Sequence, residues 1–186
     1  MIEGLSVQRI STWHPEFVAA IRRHYTKSKG APVGKKMAWM IVFRGETIGW
    51  FGFGEPAFKL AARRRLGIMD ARSLPFTVSN FIFRLERDTG PSASHVLKYC
   101  LPLFIAEWEQ QYGWRPLHIE TLVDPSEVSS EVPGYCYRRS GFRSLGMTTG
   151  RSARRPAGHS RGARVWSDST PKLVLYRGPL PRIELR

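Results

Sequence analysis

The sequence predicts an α/β domain built on a mixed central sheet, and three observations carry that expectation. Apolar runs of strand length alternate along the chain with segments of helical spacing. Two such runs, 38–43 and 47–53, are separated only by Arg44-Gly45-Glu46, which is a hairpin signal. With 186 residues, 42% of them hydrophobic, the chain is long enough for one domain with a real core. It is also too apolar for wholesale disorder.

Taken in order, the elements read as follows. Residues 14–25 form a first helix, with Pro15 at the first helical position and Phe17, Val18 and Ile21 on one face. A loop rich in Lys and Gly, 27–36, leads to the hairpin. Residues 56–65 read as a short helix ending in three consecutive arginines, and 76–86 as a long strand followed by a polar loop, 87–92. Residues 93–112 repeat apolar side chains at helical spacing through Val96, Leu97, Cys100, Leu101, Phe104, Ile105 and Trp108, and Pro102 is expected to kink or split that helix. A strand at 117–124, an acidic loop, a short helix at 134–139 and strands at 142–147 and 173–176 complete the order. The segment from about 148 to 169 is rich in Arg, Gly, Ser and Pro and reads as a mobile loop inside the single domain.

Composition limits the function classes. No apolar run approaches the ~20 residues that span a bilayer, and the first residues lack the pattern of a signal peptide. Cys100 and Cys136 follow no metal-finger spacing, so the expectation is a protein of a reducing cytosol with no membrane partner. The net charge of +14 favours a polyanion, and nucleic acid is the commonest one. Residues 22–65 hold eleven Lys and Arg against two acids, 105–134 hold one Arg against six acids, and 138–164 hold eight Arg and no acid. Arg63, Arg64, Arg65, Arg151, Arg154, Arg155, Arg161 and Arg164 are therefore the candidate DNA contacts; a merely solvated basic surface is the plain alternative.

The chemistry falls in the middle of the chain. Strand, loop and helix from Val78 to Tyr112 present free backbone N–H groups and a positive dipole end at the helix start, an arrangement suited to a pyrophosphate. On 117–124, period two places His118, Glu120, Leu122 and Asp124 on one face. Two carboxylates and an imidazole there suit a general base or metal ligands, against the alternative of a solvated sheet face. On 78–86 the same period places Asn80, Arg84 and Glu86 together, where Arg84 suits a phosphate, Glu120 or a simple salt bridge. His24 and Tyr25 close the first helix.

Tyr137-Arg138-Arg139-Ser140-Gly141-Phe142 resembles the Tyr-x-x-x-Gly-Phe segment of GNAT-family acyltransferases, in which a helix tyrosine faces the thiol of coenzyme A. That resemblance implies a GNAT-like, mostly antiparallel sheet flanked by helices, with acetyl-CoA or another acyl-CoA bound by Leu85, Arg87, Thr89, Gly90, Ser92, Ala93 and Ser94. The loop departs from the family's phosphate cradle at Pro91, which lacks an amide donor.

A resemblance of wider reach rests on His24-Tyr25, on 48–53, on Ser79-Asn80-Phe81-Ile82-Phe83-Arg84-Leu85, on 92–97, on Ile119-Glu120-Thr121-Leu122-Val123-Asp124, on Gly134-Tyr135-Cys136-Tyr137 and on 146–151. In this order the pieces are similar to Mom-type DNA-modification proteins of bacteriophages and to the related DruA-type defence proteins. The resemblance implies a GNAT-like enzyme in the cytoplasm of an infected bacterial host, modifying an amine of adenine or of a hypermodified thymidine and so protecting DNA from restriction. It also implies an active site drawn from His24, Tyr25, Arg84, Ser94, Glu120, Asp124 and Tyr137. The mechanism expected is direct transfer onto a base extruded from duplex or locally opened DNA, with Glu120 or Asp124 as base and Tyr137 protonating the thiolate. The rival expectations are a non-catalytic basic DNA-binding protein and an N-acetyltransferase for protein or RNA amines.

Overall fold

Arg44 and Gly45 both take positive φ, 51° and 83°, the mirror-image turn that matches the twist of a tight hairpin. They join β2 (Lys36–Phe43) to β3 (Glu46–Gly54), the pair around which the sheet is laid down. The structure, a computed structural model, describes residues 2–24, 31–56, 60–66, 76–87, 90–128, 131–154, 165–168 and 170–178. Within them β1 (Leu5–Ile10) borders β2, and β3 is followed by β4 (Thr77–Leu85), β5 (His118–Val123), β6 (Arg143–Met147) and, after a separate hairpin of β7 (Arg151–Arg154) and β8 (Val165–Asp168), by β9 (Leu173–Arg177). The sheet order is β1-β2-β3-β4-β5-β9-β6; every neighbouring pair is antiparallel except β4 and β5.

One face of the sheet is covered by α2 (Ala93–Tyr112), whose Leu97, Leu101, Phe104 and Trp108 pack onto Trp39, Phe51, Phe53, Val78 and Ile119. The other face receives α1 (Pro15–His24) through Phe17, Ala20 and Ile21 against Trp50 and Ile82. Farther along that face a 3-10 turn, Ala61–Leu66, lies over β9 and β6 with Leu60, Leu145, Val174 and Tyr176. A short helix, α3 (Tyr135–Arg139), enters the α2 side with Tyr137 buried.

Four local expectations need correction. The strand β1 is absent from the pattern reading, because only Leu5 of its six residues is buried and an edge strand with one solvated face carries little apolar signal. Pro102 does not split α2: Pro102 and Lys98 are both exposed, so the Lys98 carbonyl that loses its partner faces water. The short helix expected at 56–65 is a 3-10 helix described over Ala61–Leu66. The expected loop at 148–169 contains the paired strands β7 and β8, while 155–164 lie outside the described residues.

Candidate functional site

A bulge in β4 builds the site. Gly52 pairs with Ile82 and Phe53 with Asn80, so Phe81 is the extra residue and has no partner on β3. The bulge puts Phe81 and Ile82 on the same side, both packed with α1, while Asn80 points to the α2 side. Gly52 makes this possible, since a Cβ there would stand 2.6 Å from the Phe81 ring. Asn80 then closes the bulge: its amide donates to Gly52 O and Ile82 O, each at 2.8 Å, and its Oδ1 accepts from the Tyr137 hydroxyl. All three hydrogen bonds agree on one orientation of the amide.

The two parallel strands part at the same place. β4 and β5 pair from Thr77↔His118 to Asn80↔Thr121 and no farther, after which Ile82–Leu85 pair with β3 alone. The side of β4 that faces β5 is therefore an unpaired strand edge above the Asn80–Tyr137 pair. Tyr137 reaches it because Gly134 starts α3 at φ 72°, pressed so closely on Leu175 that a Cβ would stand 2.4 Å from it.

The start of α2 overlooks this gap. Ser92 is its N-cap without a side-chain capping bond, and among the described residues the N–H groups of Ala93 and Ser94 find no acceptor. The Ser92 hydroxyl lies 3.2 Å from that of Ser94 and 3.0 Å from His95 Nδ1. Ser140 ties α3 to this end, donating to Cys136 O at 2.8 Å and Ser94 O at 3.3 Å. Gly90, at φ 126°, and Arg87, ion-paired with Glu46, line a cavity of about 480 Å³ with Phe43, Arg44 and Ile48. Free amides, serine hydroxyls and a glycine turn form a donor set suited to phosphates, and Pro91 subtracts one donor from it.

At the outer end of β4, on the α1 face, a second cluster forms. Glu86 Oε1 accepts from Arg23 at 2.6 Å and stands 3.5 Å from His24 Nε2. Burial, then the Arg84 charge, lower the His24 pKa, which keeps its imidazole neutral and able to take a proton. Burial raises Glu86, but Arg23 and His24 outweigh it and hold the carboxyl below its usual range. Four residues of β4 separate Arg84 from Asn80, about 13 Å at strand rise. Tyr25 and Thr89 lie outside the described residues.

The expected carboxylates are used otherwise. The face of β5 holding His118, Glu120 and Leu122 is as expected, but the turn 61–66 covers it. Arg63 donates to both Glu120 oxygens, at 2.9 and 2.5 Å, and both side chains are only 4% exposed. This corrects two expectations together: Glu120 is not an open general base, and Arg63 is not a phosphate contact. Asp124 caps the turn at Pro125–Glu127 through Ser126, and His118 stacks on Tyr176 and shares a hydrogen bond with it. Arg84 does not share a face with Asn80, because the bulge breaks the period of two. Arg65 donates to Leu145 O at 2.6 Å; Arg64, Arg151 and Arg154 are described by backbone only, and Arg155, Arg161 and Arg164 lie outside the described residues. Among the described residues no group of three His, Cys, Asp or Glu could hold a metal ion. No helix there is long and apolar enough to cross a membrane. Asn80 and Glu86 join the site although pattern reasoning gives them no role of their own; a mid-strand asparagine in an apolar run is the signal that could have found the first.

No protein-family model matches the chain, and no curated protein matches it in sequence. Solved structures do match in fold. An acetyltransferase from Bacillus subtilis in complex with CoA superposes with a TM-score of 0.52 at 11% identity, covering 95% of this chain and 99% of that one. AAC(6′)-Ib, solved with paromomycin and acetyl-CoA, gives 0.54 at 13% identity over 95% of this chain and 94% of the other. A GNAT-family acetyltransferase from Elizabethkingia anophelis with acetyl-CoA bound gives 0.50 at 10%, over 95% and 99%. The chain has the GNAT fold: a mostly antiparallel seven-stranded sheet flanked by helices, in a single domain.

Proposed function

We propose that this protein is an acyl-CoA-dependent transferase that acylates an amine of a DNA base. The observation that carries the reading is the parting of β4 from β5 at Asn80 and Thr121, with Tyr137 at its closed end and the open start of α2 above it. The fold shared with acetyltransferases solved with CoA or acetyl-CoA supports it.

Acetyl-CoA, when bound, supplies an acyl group as a thioester. The N–H groups of Ala93 and Ser94 and the hydroxyls of Ser92 and Ser94 hold its phosphates, and the free edge of Phe81–Leu85 offers backbone donors and acceptors to its chain. Tyr137 is the hydroxyl at the closed end. Tyr137 donates its hydroxyl proton in a hydrogen bond to Asn80 Oδ1, so giving it to the departing sulfur requires that hydrogen bond to break, and Asn80 sets how readily this happens. The amine's proton leaves to water, because His24, held by Glu86, lies on the α1 face at the outer end of β4 and away from Tyr137. Burial pushes the thiol of Cys136, next to Tyr137, up to about 11 and that of Cys100 up to about 12. Neither is a thiolate at neutral pH, which favours direct transfer over an acyl-cysteine route.

The acceptor follows from charge and resemblance. A net charge of +14 suits DNA, and likeness to Mom-type proteins points to adenine or a hypermodified thymidine in phage DNA, shielded from restriction in the host cytoplasm. An extruded base is needed because its amine is out of reach inside a duplex. Mass spectrometry of nucleosides from DNA incubated with protein and acetyl-CoA tests this. An acylated nucleoside is expected; unmodified DNA beside acylated polypeptide amines would overturn the acceptor.

A further inference from the structure

α3 turns two kinds of residue in opposite directions. Tyr137 enters the parting of the strands, whereas Arg138 and Arg139, which follow it, are exposed in the last turn. Ser140 and Gly141 then reverse the chain into β6, where Arg143 is exposed and donates from Nη2 to Gly178 O at 3.3 Å. The strand β9 ends beside it on Arg177. Gly141 lies beside it: a Cβ on Gly141 would stand 3.7 Å from Arg177 Nε, an ordinary contact.

Four arginines thus fall where α3 ends, β6 begins and β9 ends, with Arg143 paired to Tyr176 next to Arg177, and among the described residues none of them forms an ion pair. The helix dipole accounts for Arg138 and Arg139, since cations are favourable at a helix C-terminus. It does not account for Arg143 or for Arg177, which is half-buried with no carboxylate to offset its desolvation. Like charges collected in this way are stabilised by an anion that brings several charges at once. Guanidinium is the group that meets phosphate oxygens two at a time.

We propose that Arg138, Arg139, Arg143 and Arg177 form a contact surface for the phosphodiester backbone of DNA. The proposal rests on the DNA-amine reading above and adds where the strand lies. A backbone held here runs past the C-terminal end of α3, on the side of β5 where its pairing with β4 is still closed. The surface is distinct from Arg63, which is spent on Glu120, and from Arg65, which donates from Nη1 to Leu145 O.

Salt dependence tests it. Binding of the full chain to a mixed-sequence 20-base-pair duplex would be measured across sodium chloride concentrations. The four-fold Arg→Gln variant is expected to flatten the slope of log K against log salt by about 0.9 for each phosphate no longer neutralised, roughly 2 to 3.6 in all. The matching four-fold Arg→Lys variant keeps the charges and should keep the wild-type slope. A triple variant sparing the half-buried Arg177 guards against misfolding and should still flatten the slope by about 2. An unchanged slope with duplex binding intact would overturn the surface and leave the DNA reading standing. No duplex binding by the wild-type protein would overturn both. A tenfold loss of acetyl-CoA affinity with an unchanged duplex slope would assign these arginines to the cofactor and also overturn the surface.

Discussion

Two buried polar pairs flank β5 at adjacent register positions, and they differ in almost every respect that matters for chemistry. Arg63–Glu120 lies where Ser79 pairs with Glu120; Asn80–Tyr137 lies one step on, where Asn80 pairs with Thr121. The first faces the turn 61–66 and is sealed, with both carboxylate oxygens bonded and both side chains 4% exposed. The second faces α2 at the point where β4 and β5 separate, so a strand edge opens directly above it. Burial alone therefore does not mark a site. A sealed ion pair fastens the 60–66 segment to the sheet, and a neutral pair beside unpaired backbone can meet a ligand.

Removing one partner of each pair sharpens that contrast. Arg63→Met leaves the Glu120 carboxylate buried and uncompensated, and should cost about 3–5 kcal/mol of stability by urea unfolding. The double variant Arg63→Met/Glu120→Leu should recover most of it, because packed apolar side chains replace a buried pair at little cost. A loss below ~1 kcal/mol in the single variant would mean that the pair is not sealed.

Asn80→Ala should cost less, about 1–3 kcal/mol, since it strands neutral groups: the carbonyls of Gly52 and Ile82 and the Tyr137 hydroxyl. Unlike the Arg63 variant, it should also depress turnover at saturating acetyl-CoA, because Tyr137 loses its orientation. Equal turnover in folded Asn80→Ala would reduce the pair to packing.

Acidification acts at two places on the α1 face. Burial lowers the pKa of His118 beneath the turn 61–66 and of His24 at the outer end of β4. For each, the unfolded chain binds the proton first, so stability is full above 6.5 and is lost as pH falls through the window below it. His118→Gln and His24→Gln should each blunt that loss in unfolding midpoints. The exposed pair Arg87–Glu46 sets the lower bound, and Arg87→Gln should change stability by less than ~1 kcal/mol.

These contrasts are only partly legible in the sequence. The bounds of α2, the turn at Arg44-Gly45 and the alternation along β5 follow from local patterns, and the structure keeps all three. The bulge at Phe81 does not: an apolar run reads as period two until its partner strand is known, and the extra residue moves Arg84 away from Asn80. Arg63 stands in a run of three arginines that reads as a DNA contact or a solvated surface, not as a buried ion-pair partner. A lone carboxylate in mid-strand at Glu120 is the sign that a buried cation has to come from elsewhere, but only tertiary contact names it. Similarly, β1 carries too few buried side chains to announce itself.

The central claim is that an acyl-CoA binds in the parting between β4 and β5. Hydrogen exchange of the full protein, with and without saturating acetyl-CoA, reads that directly. The amides of 81–85 and of 93–96 should gain protection, as a free strand edge and an open helix start acquire partners, while those of β1 and β2 stay unchanged. Protection that appears elsewhere, or no change at any amide under saturating acetyl-CoA, would contradict the account.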